Sequence, residues 1–332
     1  MRCIIVSIVL LSLFMAVSPC LAGAEAVTGG KILVVHSYDR GFAWTADIHD
    51  ALERMLSRHR IELRTVFMDA NINRDEASLT AAGQKAAELM STFRPDVVIT
   101  SDDDAQQYFA ARFAGDSSAP AFVFCGVNQD PARYGYPAIN VTGIVEKLAW
   151  SDSLKLLRRL DPGIRRIAVL LDSRSSSIAA VRSMRASTPA DIEAEWIIVD
   201  TYEKWRQLVE SSSATHDALA IMTYHSLTDA EGRIVPSQEV MRWTREHANI
   251  PSLGFFDYTV ADGALCGVIQ TGFEHGTLAA NMALRILNGE RAGGIPVVNT
   301  TRGLTMFNLK TAKKLRIDIP ENLLQEAVAL VE

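Results

Sequence analysis

A chain of 332 residues, 48% of them hydrophobic and 22% charged, carries enough apolar material for substantial cores, most naturally two domains of ordinary size, which excludes a disordered or coiled-coil protein. The formal net charge of −6, with Lys and Arg scattered along the chain, provides no basic surface to neutralise phosphates, so nucleic acid is excluded as a partner.

In chain order, the first readable segment is the N-terminus. Arg2 supplies a positive start, an apolar run extends from Ile4 to Val17, and small residues follow at Ala22, Gly23, Ala24 and Ala26. The pattern predicts a secretory signal over residues 1–26. The run is shorter than the roughly 20 apolar residues a membrane anchor needs, and Pro19 interrupts its end. Pro19 also argues against lipid attachment at Cys20, so the mature protein is expected to be periplasmic and soluble. Cys3 and Cys20 leave with the signal. Cys125 and Cys266 remain, each beside an apolar run, and are expected to be separately buried thiols in a compartment that permits disulfides.

From Lys31 onward, short β-branched runs alternate with segments of helical period. They predict strands over 31–36, 61–68, 96–100, 121–125 and 141–145, then 166–171, 194–199, 218–223, 251–256 and 265–270. The intervening helices are predicted over 44–58, 74–93, 103–113, 150–160, 176–184, 202–212, 237–248 and 273–287. Sustained alternation of strands and helices specifies an α/β fold with parallel sheets. The strands are too many for one open sheet, and the series breaks near Gly143, with Asp161-Pro162-Gly163 as a helix stop before the second series. Two doubly wound lobes follow. No low-complexity linker separates them, so they are expected to meet at a hinge that closes around a ligand.

In such sheets ligands sit beyond the carboxyl ends of the strands. In the first lobe the loops there hold His36, Ser37, Tyr38 and Trp44, then Ser101 and Asp102, then Cys125 and Asn128. In the second they hold Asp172, Ser175 and Ser176, then Tyr224 and His225, then Asp257. Hydroxyls at the start of the helix near Ser176 suit a carboxylate or other anion. Each position also has a simpler use, as a helix cap or a strand-end histidine. The binding reading rests on unusual side chains recurring at the same edge of both lobes. No metal or cofactor is expected: there is no zinc-ligand spacing, no calcium loop around Asp102–Asp104, and no phosphate-binding glycine motif.

Several short motifs carry a family resemblance. Asp262-Gly263-Ala264, Gly272 with Gly276, Ala279-Ala280, Asn288-Gly289-Glu290, Ile295-Pro296, and above all Asn308-Leu309-Lys310-Thr311-Ala312-Lys313-Lys314-Leu315 followed by Ile319-Pro320 resemble ABC transporter substrate-binding proteins of the tryptophan/tyrosine-binding type. His36-Ser37-Tyr38 with Gly41 and Trp44 resembles the related periplasmic sensor domains that precede bacterial histidine kinases and cyclases. The resemblance spans the mature chain. It implies the type 1 periplasmic-binding-protein fold with three crossings, residues 29–144 and 272–303 forming one lobe and 145–271 and 304–332 the other. It also implies a monomer that takes a small polar or amino-acid-like ligand and docks on an ABC permease. The chain departs from the amino-acid binders at Arg174-Ser175-Ser176-Ser177, where they resemble Glu-Ala-Asn-Ser, so an aromatic amino acid is not a secure ligand assignment. A free-standing sensory protein serving a membrane kinase or cyclase is the alternative. An enzyme is not expected; the enzymatic alternative is a racemase using Cys125-Gly126-Val127 and Cys266-Gly267-Val268 as paired proton donors and acceptors.

Overall fold

The structure, a computed structural model, describes residues 29–300 and 303–332; the expected secretory signal lies outside the described residues. The first series runs β1 (Gly30–His36), α1 (Ala43–Leu56), β2 (Ile61–Phe67), α2 (Glu76–Phe93), β3 (Val97–Ser101), α3 (Asp102–Tyr108), β4 (Ala121–Val127) and β5 (Val141–Val145). The second runs α4 (Trp150–Leu160), β6 (Arg166–Leu171), α5 (Ser175–Ala186), β7 (Glu193–Ile198), α6 (Tyr202–Thr215), β8 (Ala218–Ile221), α7 (Ser237–His247), β9 (Ser252–Gly254), α8 (Asp257–Asp262) and β10 (Cys266–Ile269). The chain ends with α9 (Gly272–Leu287), β11 (Val298–Asn299), β12 (Leu304–Asn308), α10 (Leu309–Leu315), α11 (Glu321–Glu326) and β13 (Ala329–Val331).

The strands form two sheets, ordered β11-β5-β4-β3-β1-β2 and β13-β12-β10-β9-β8-β6-β7. Burial explains the sequence pattern. The central strands β1, β3, β4, β6 and β8 are apolar runs buried on both faces, whereas the edge strands β2 and β7 alternate, because one of their faces is only partly covered. The first sheet is parallel throughout. In the second, β12 runs antiparallel to β10, a reversal that the alternation of strands and helices did not signal. The helix expected over 103–113 is also broken: α3 stops at Tyr108 and a 3-10 turn follows over Ala110–Phe113. There the Arg112 guanidinium donates to the carbonyls of Tyr108 and Phe109 and reaches Gly83 on α2, replacing helical hydrogen bonds with side-chain ones.

The chain passes between the sheets three times: after β5, after β10 and after β11. Gln270, which is 2% exposed, joins all three segments. Its amide donates to the carbonyl of Lys147, and its Oε1 accepts from Thr300 Oγ1 at 2.8 Å. Beyond it, α9 packs back on α1, β4 and β5 of the first sheet. Thr271 caps α9 by accepting from the Glu274 N–H at 3.2 Å, and Gly272 and Gly276 let the two helices approach closely. A Cβ on Gly276 would lie 2.4 Å from the Ile48 carbonyl oxygen.

On an exposed helix face, Gly→Ala gains about 1 kcal/mol of helix propensity. At Gly276 the opposite sign is expected, because overpacking against the rigid α1 backbone costs about 1–3 kcal/mol. Urea unfolding of Gly276→Ala should therefore show a lower midpoint than the parent protein with an unchanged slope.

Candidate functional site

Strand order reverses between β1 and β3 in the first sheet and between β6 and β8 in the second. A doubly wound sheet opens a crevice at that point, because successive crossovers leave for opposite faces. The loops flanking both crevices meet. Tyr38, Phe42 and Trp44 follow β1, Asp102 follows β3 and Asn128 follows β4; Arg174 follows β6, Thr223 follows β8, and Phe256 and Tyr258 follow β9. Together these residues line a cavity of about 40 Å³. Tyr38 and Arg174 also border a second cavity of about 290 Å³ that reaches Arg74, Asp104 and Tyr108.

Aromatic rings from the two sides make contact around the smaller cavity. Trp44 meets Phe256 edge-to-face at 5.5 Å, Phe42 meets His225 edge-to-face at 4.9 Å, and Phe256 stacks on Tyr258 at 5.2 Å. The Arg174 guanidinium lies 5.7 Å from the Tyr38 ring and 5.5 Å from the Phe42 ring, within cation–π range.

Two buried acids here have opposite surroundings. Asp172 accepts from Arg174 Nε at 2.9 Å, Ser177 Oγ at 2.6 Å and Thr223 Oγ1 at 3.0 Å. Burial pushes its carboxyl up, but Arg174 and the hydroxyls of Ser177, Ser226 and Thr223 outweigh that and hold it at about 2. Asp102 takes a positive φ of 65°, and its Oδ1 accepts from Trp44 Nε1 at 2.9 Å. Its Oδ2 is buried with no hydrogen-bond partner among the described residues, an arrangement that costs about 1–3 kcal/mol. Burial raises Asp102 to about 8, aided by Asp103 and Asp104, against the opposing hydrogen bonds from Ser101 and Trp44. Gly126, at φ 66°, clears the space: a Cβ there would lie 2.8 Å from Asp102 Oδ1. Nearby, burial also raises Glu146, which accepts from Asn128 Nδ2 at 3.2 Å. Asp103 instead organises the loop after β4, accepting from the N–H groups of Asn128 and Gln129 and from the Tyr134 hydroxyl.

Of the residues singled out in the sequence, Tyr38, Trp44, Asp102 and Asn128 line the smaller cavity. Asp172 stands behind Arg174 as its counter-ion. His225 is half-buried, stacked on Tyr224 at 4.4 Å, and desolvation with the Arg174 charge lowers its pKa to about 3. Tyr224 itself turns toward Asp262 and packs on Trp205 in the core. His36, Ser37 and Ser101 form a buried layer beneath the cleft. His36 Nδ1 meets Ser101 Oγ at 2.9 Å and His36 Nε2 meets His49 Nδ1 at 3.1 Å, while the Ser37 hydroxyl donates to the Ser101 carbonyl at 2.7 Å. Ser175 and Ser176 begin α5. Asp257 faces Asp47 on α1.

Cys125 and Cys266 are free and fully buried, on β4 and β10. Burial raises both thiols, which disfavours the thiolates a two-base racemase needs, and neither borders the two cavities. Phe42, Arg174, Thr223, Phe256 and Tyr258 were not singled out; only their place in strand-end loops could have pointed to them. Among the described residues no group of His, Cys, Asp and Glu is arranged to hold a metal, and no helix is long and apolar enough to cross a membrane.

The family model for ABC transporter substrate binding proteins matches residues 132–331. No curated protein matches the chain. Among solved structures, an ABC domain in complex with L-Trp from Streptococcus pneumoniae is 18% identical, with a TM-score of 0.69, covering 92% of this chain and 100% of its own. A conserved domain protein from Vibrio cholerae is 16% identical with a TM-score of 0.68, over 91% of this chain and 99% of its own. The ligand-free, open form of a substrate-binding protein with adhesive properties from Clostridium difficile is 18% identical with a TM-score of 0.66, over 91% of this chain and 99% of its own. These likenesses give the type 1 periplasmic-binding-protein fold.

The Asp47–Asp257 contact joins the two sides through a pair of acids. Burial, Asp257 and Asp50 raise Asp47 to about 6. A raised carboxyl stabilises the fold below its unfolded value of about 3.9 and loses that contribution as pH rises through about 6. Asp47→Asn is therefore expected to unfold at a higher temperature than the parent at pH 8, with the difference disappearing near pH 4, as followed by calorimetry across that range.

Proposed function

Because the chain belongs to the ABC transporter substrate-binding protein family, we propose that it is a periplasmic receptor that captures a small polar or amino-acid-like ligand between two hinged lobes. It delivers that ligand to an ABC importer and performs no chemistry on it. The lobes are residues 29–144 with 272–303, and 145–271 with 304–332. The observation that carries this reading is the meeting of Tyr38, Trp44 and Asp102 from one sheet with Arg174, Phe256 and Tyr258 from the other around one cleft. Rings supply buried area, and a few polar groups set orientation, the usual division of labour in a ligand pocket. Only a ligand that touches both sides favours the closed arrangement over the open one.

The binding site on this reading is formed by Tyr38, Phe42, Trp44, Asp102, Asn128, Arg174, Thr223, Phe256 and Tyr258. Asp172 fixes Arg174, and the buried layer of His36, Ser37 and Ser101 supports the loops after β1 and β3. The secretory signal over residues 1–26 takes the chain to the periplasm.

Small molecules retained through purification without denaturation, identified by mass spectrometry, supply the ligand for the test. Adding it to stripped protein should reduce the radius of gyration in solution scattering, and Trp44→Ala should abolish the change, since it removes both a cavity wall and the Asp102 hydrogen bond. Compaction that survives Trp44→Ala, Tyr38→Ala and Arg174→Ala would move the binding site elsewhere.

A further inference from the structure

We propose that the ligand presents a protonated amine, bearing at least one N–H, to Asp102 in the smaller cavity. This rests on the receptor reading above and specifies the chemistry of that site. The first ground is the orphaned acceptor. Asp102 is 3% exposed and lines the cavity, Trp44 satisfies its Oδ1, and its Oδ2 has no donor among the described residues. A buried carboxyl oxygen in that position is completed by a donor that arrives with the ligand.

Charge decides which donor. Among the described residues Arg174 is the one cation bordering this cavity, and it is engaged with Asp172 at 2.9 Å. The titratable groups around Asp102 are Asp103 and Asp104 on α3, Cys125 on β4, Glu146 beyond β5, Arg174 before α5, and Tyr38 and Tyr258 on the cavity wall. Three of them are carboxyls, and burial keeps the Cys125 thiol uncharged. A hydroxyl donor would satisfy Oδ2 alone, whereas an ammonium would also place a positive charge among carboxyls that burial otherwise disfavours as anions. The rings of Phe42, Trp44 and Tyr258 at the cavity wall add cation–π attraction.

The unpaired oxygen narrows the head group further, because a quaternary ammonium lacks the N–H that Oδ2 requires. The remainder of the ligand extends past Tyr38 and Arg174, which border both cavities, into the space of about 290 Å³ beyond them.

The test uses the full mature protein and four probes, n-butylamine, 1-butanol, choline and D-ribose, titrated while tryptophan fluorescence and solution scattering are followed. Saturable binding of n-butylamine, with much weaker responses to 1-butanol and choline, is expected. Asp102→Asn should weaken n-butylamine by at least about 30-fold, as removal of one partner of a buried hydrogen-bonded charge pair does. Should that variant fail to fold, the parent protein still decides. Because ammonium binding requires ionised Asp102, affinity should rise about tenfold per pH unit below the carboxyl's own value of about 8. Affinity independent of pH, binding of choline in preference to n-butylamine, or no response to n-butylamine overturns the amine assignment. Compaction by D-ribose alone overturns it while leaving the receptor reading standing. A purified protein that retains no small molecule and compacts with none of the probes counts against both.

Discussion

The geometry of this protein depends on one buried amide. Gln270 binds the segment leaving β5 through the Lys147 carbonyl and the segment leaving β11 through Thr300, while itself lying on the segment that leaves β10. All three crossings are thereby held to one side chain. Both sheets are wound in the same sense, with orders 2-1-3-4-5 and 7-6-8-9-10 through their shared strands. Fixing the crossings therefore also fixes which edges meet. Tyr38, Trp44 and Asp102 face Arg174, Phe256 and Tyr258 because the carboxyl ends of β1 and β3 are brought opposite those of β6, β8 and β9.

Within that frame the cleft treats two aspartates in contrary ways. Asp172, beyond β6, receives a guanidinium and several hydroxyls and is stable as an anion. Asp102, beyond β3, receives hydrogen bonds from Trp44 and Ser101 in place of a guanidinium and is surrounded by other acids. Burial penalises both charges equally in kind, so the number of donors decides the outcome. Asp172 is a structural anion that orients Arg174. Asp102 is an acceptor held in a sparsely populated backbone conformation, and such outliers persist where the surrounding structure over-determines them. Here the over-determination is visible in Trp44, Gly126 and the close packing of α9 on α1.

The layer beneath the cleft gives the loops their rigidity. His36 bridges Ser101 and His49, Ser37 bridges the Ser101 carbonyl and the Ala105 N–H, and Asp103 binds the loop after β4 at three points. Burial, reinforced by His49 and Arg40, holds His36 neutral, at about 3, so this layer keeps its hydrogen bonds unchanged across the physiological range. The site thus combines a rigid floor with walls contributed by two sheets.

The alternation of apolar runs and helical periods by itself determined the α/β class, the two doubly wound sheets and the strand edge at which to look. Those features follow from local burial: a central parallel strand must be apolar on both faces, and a covering helix on one. Tyr38, Trp44, Asp102 and Asn128 were legible for the same reason, standing immediately beyond the strands β1, β3 and β4. What the tertiary structure alone decided was which side chains at that edge face the cleft. Tyr224 and Cys125 sit at equivalent strand ends and turn inward, while Phe42, Arg174, Thr223 and Phe256 complete the wall. The antiparallel β12 and the Gln270 junction were equally hidden, since hydrogen bonds spanning 30 to 123 residues leave no periodic trace in the segments they join. Periodicity records how a residue stands relative to its own strand or helix; the partner that an atom finds across the fold is settled only when the sheets come together.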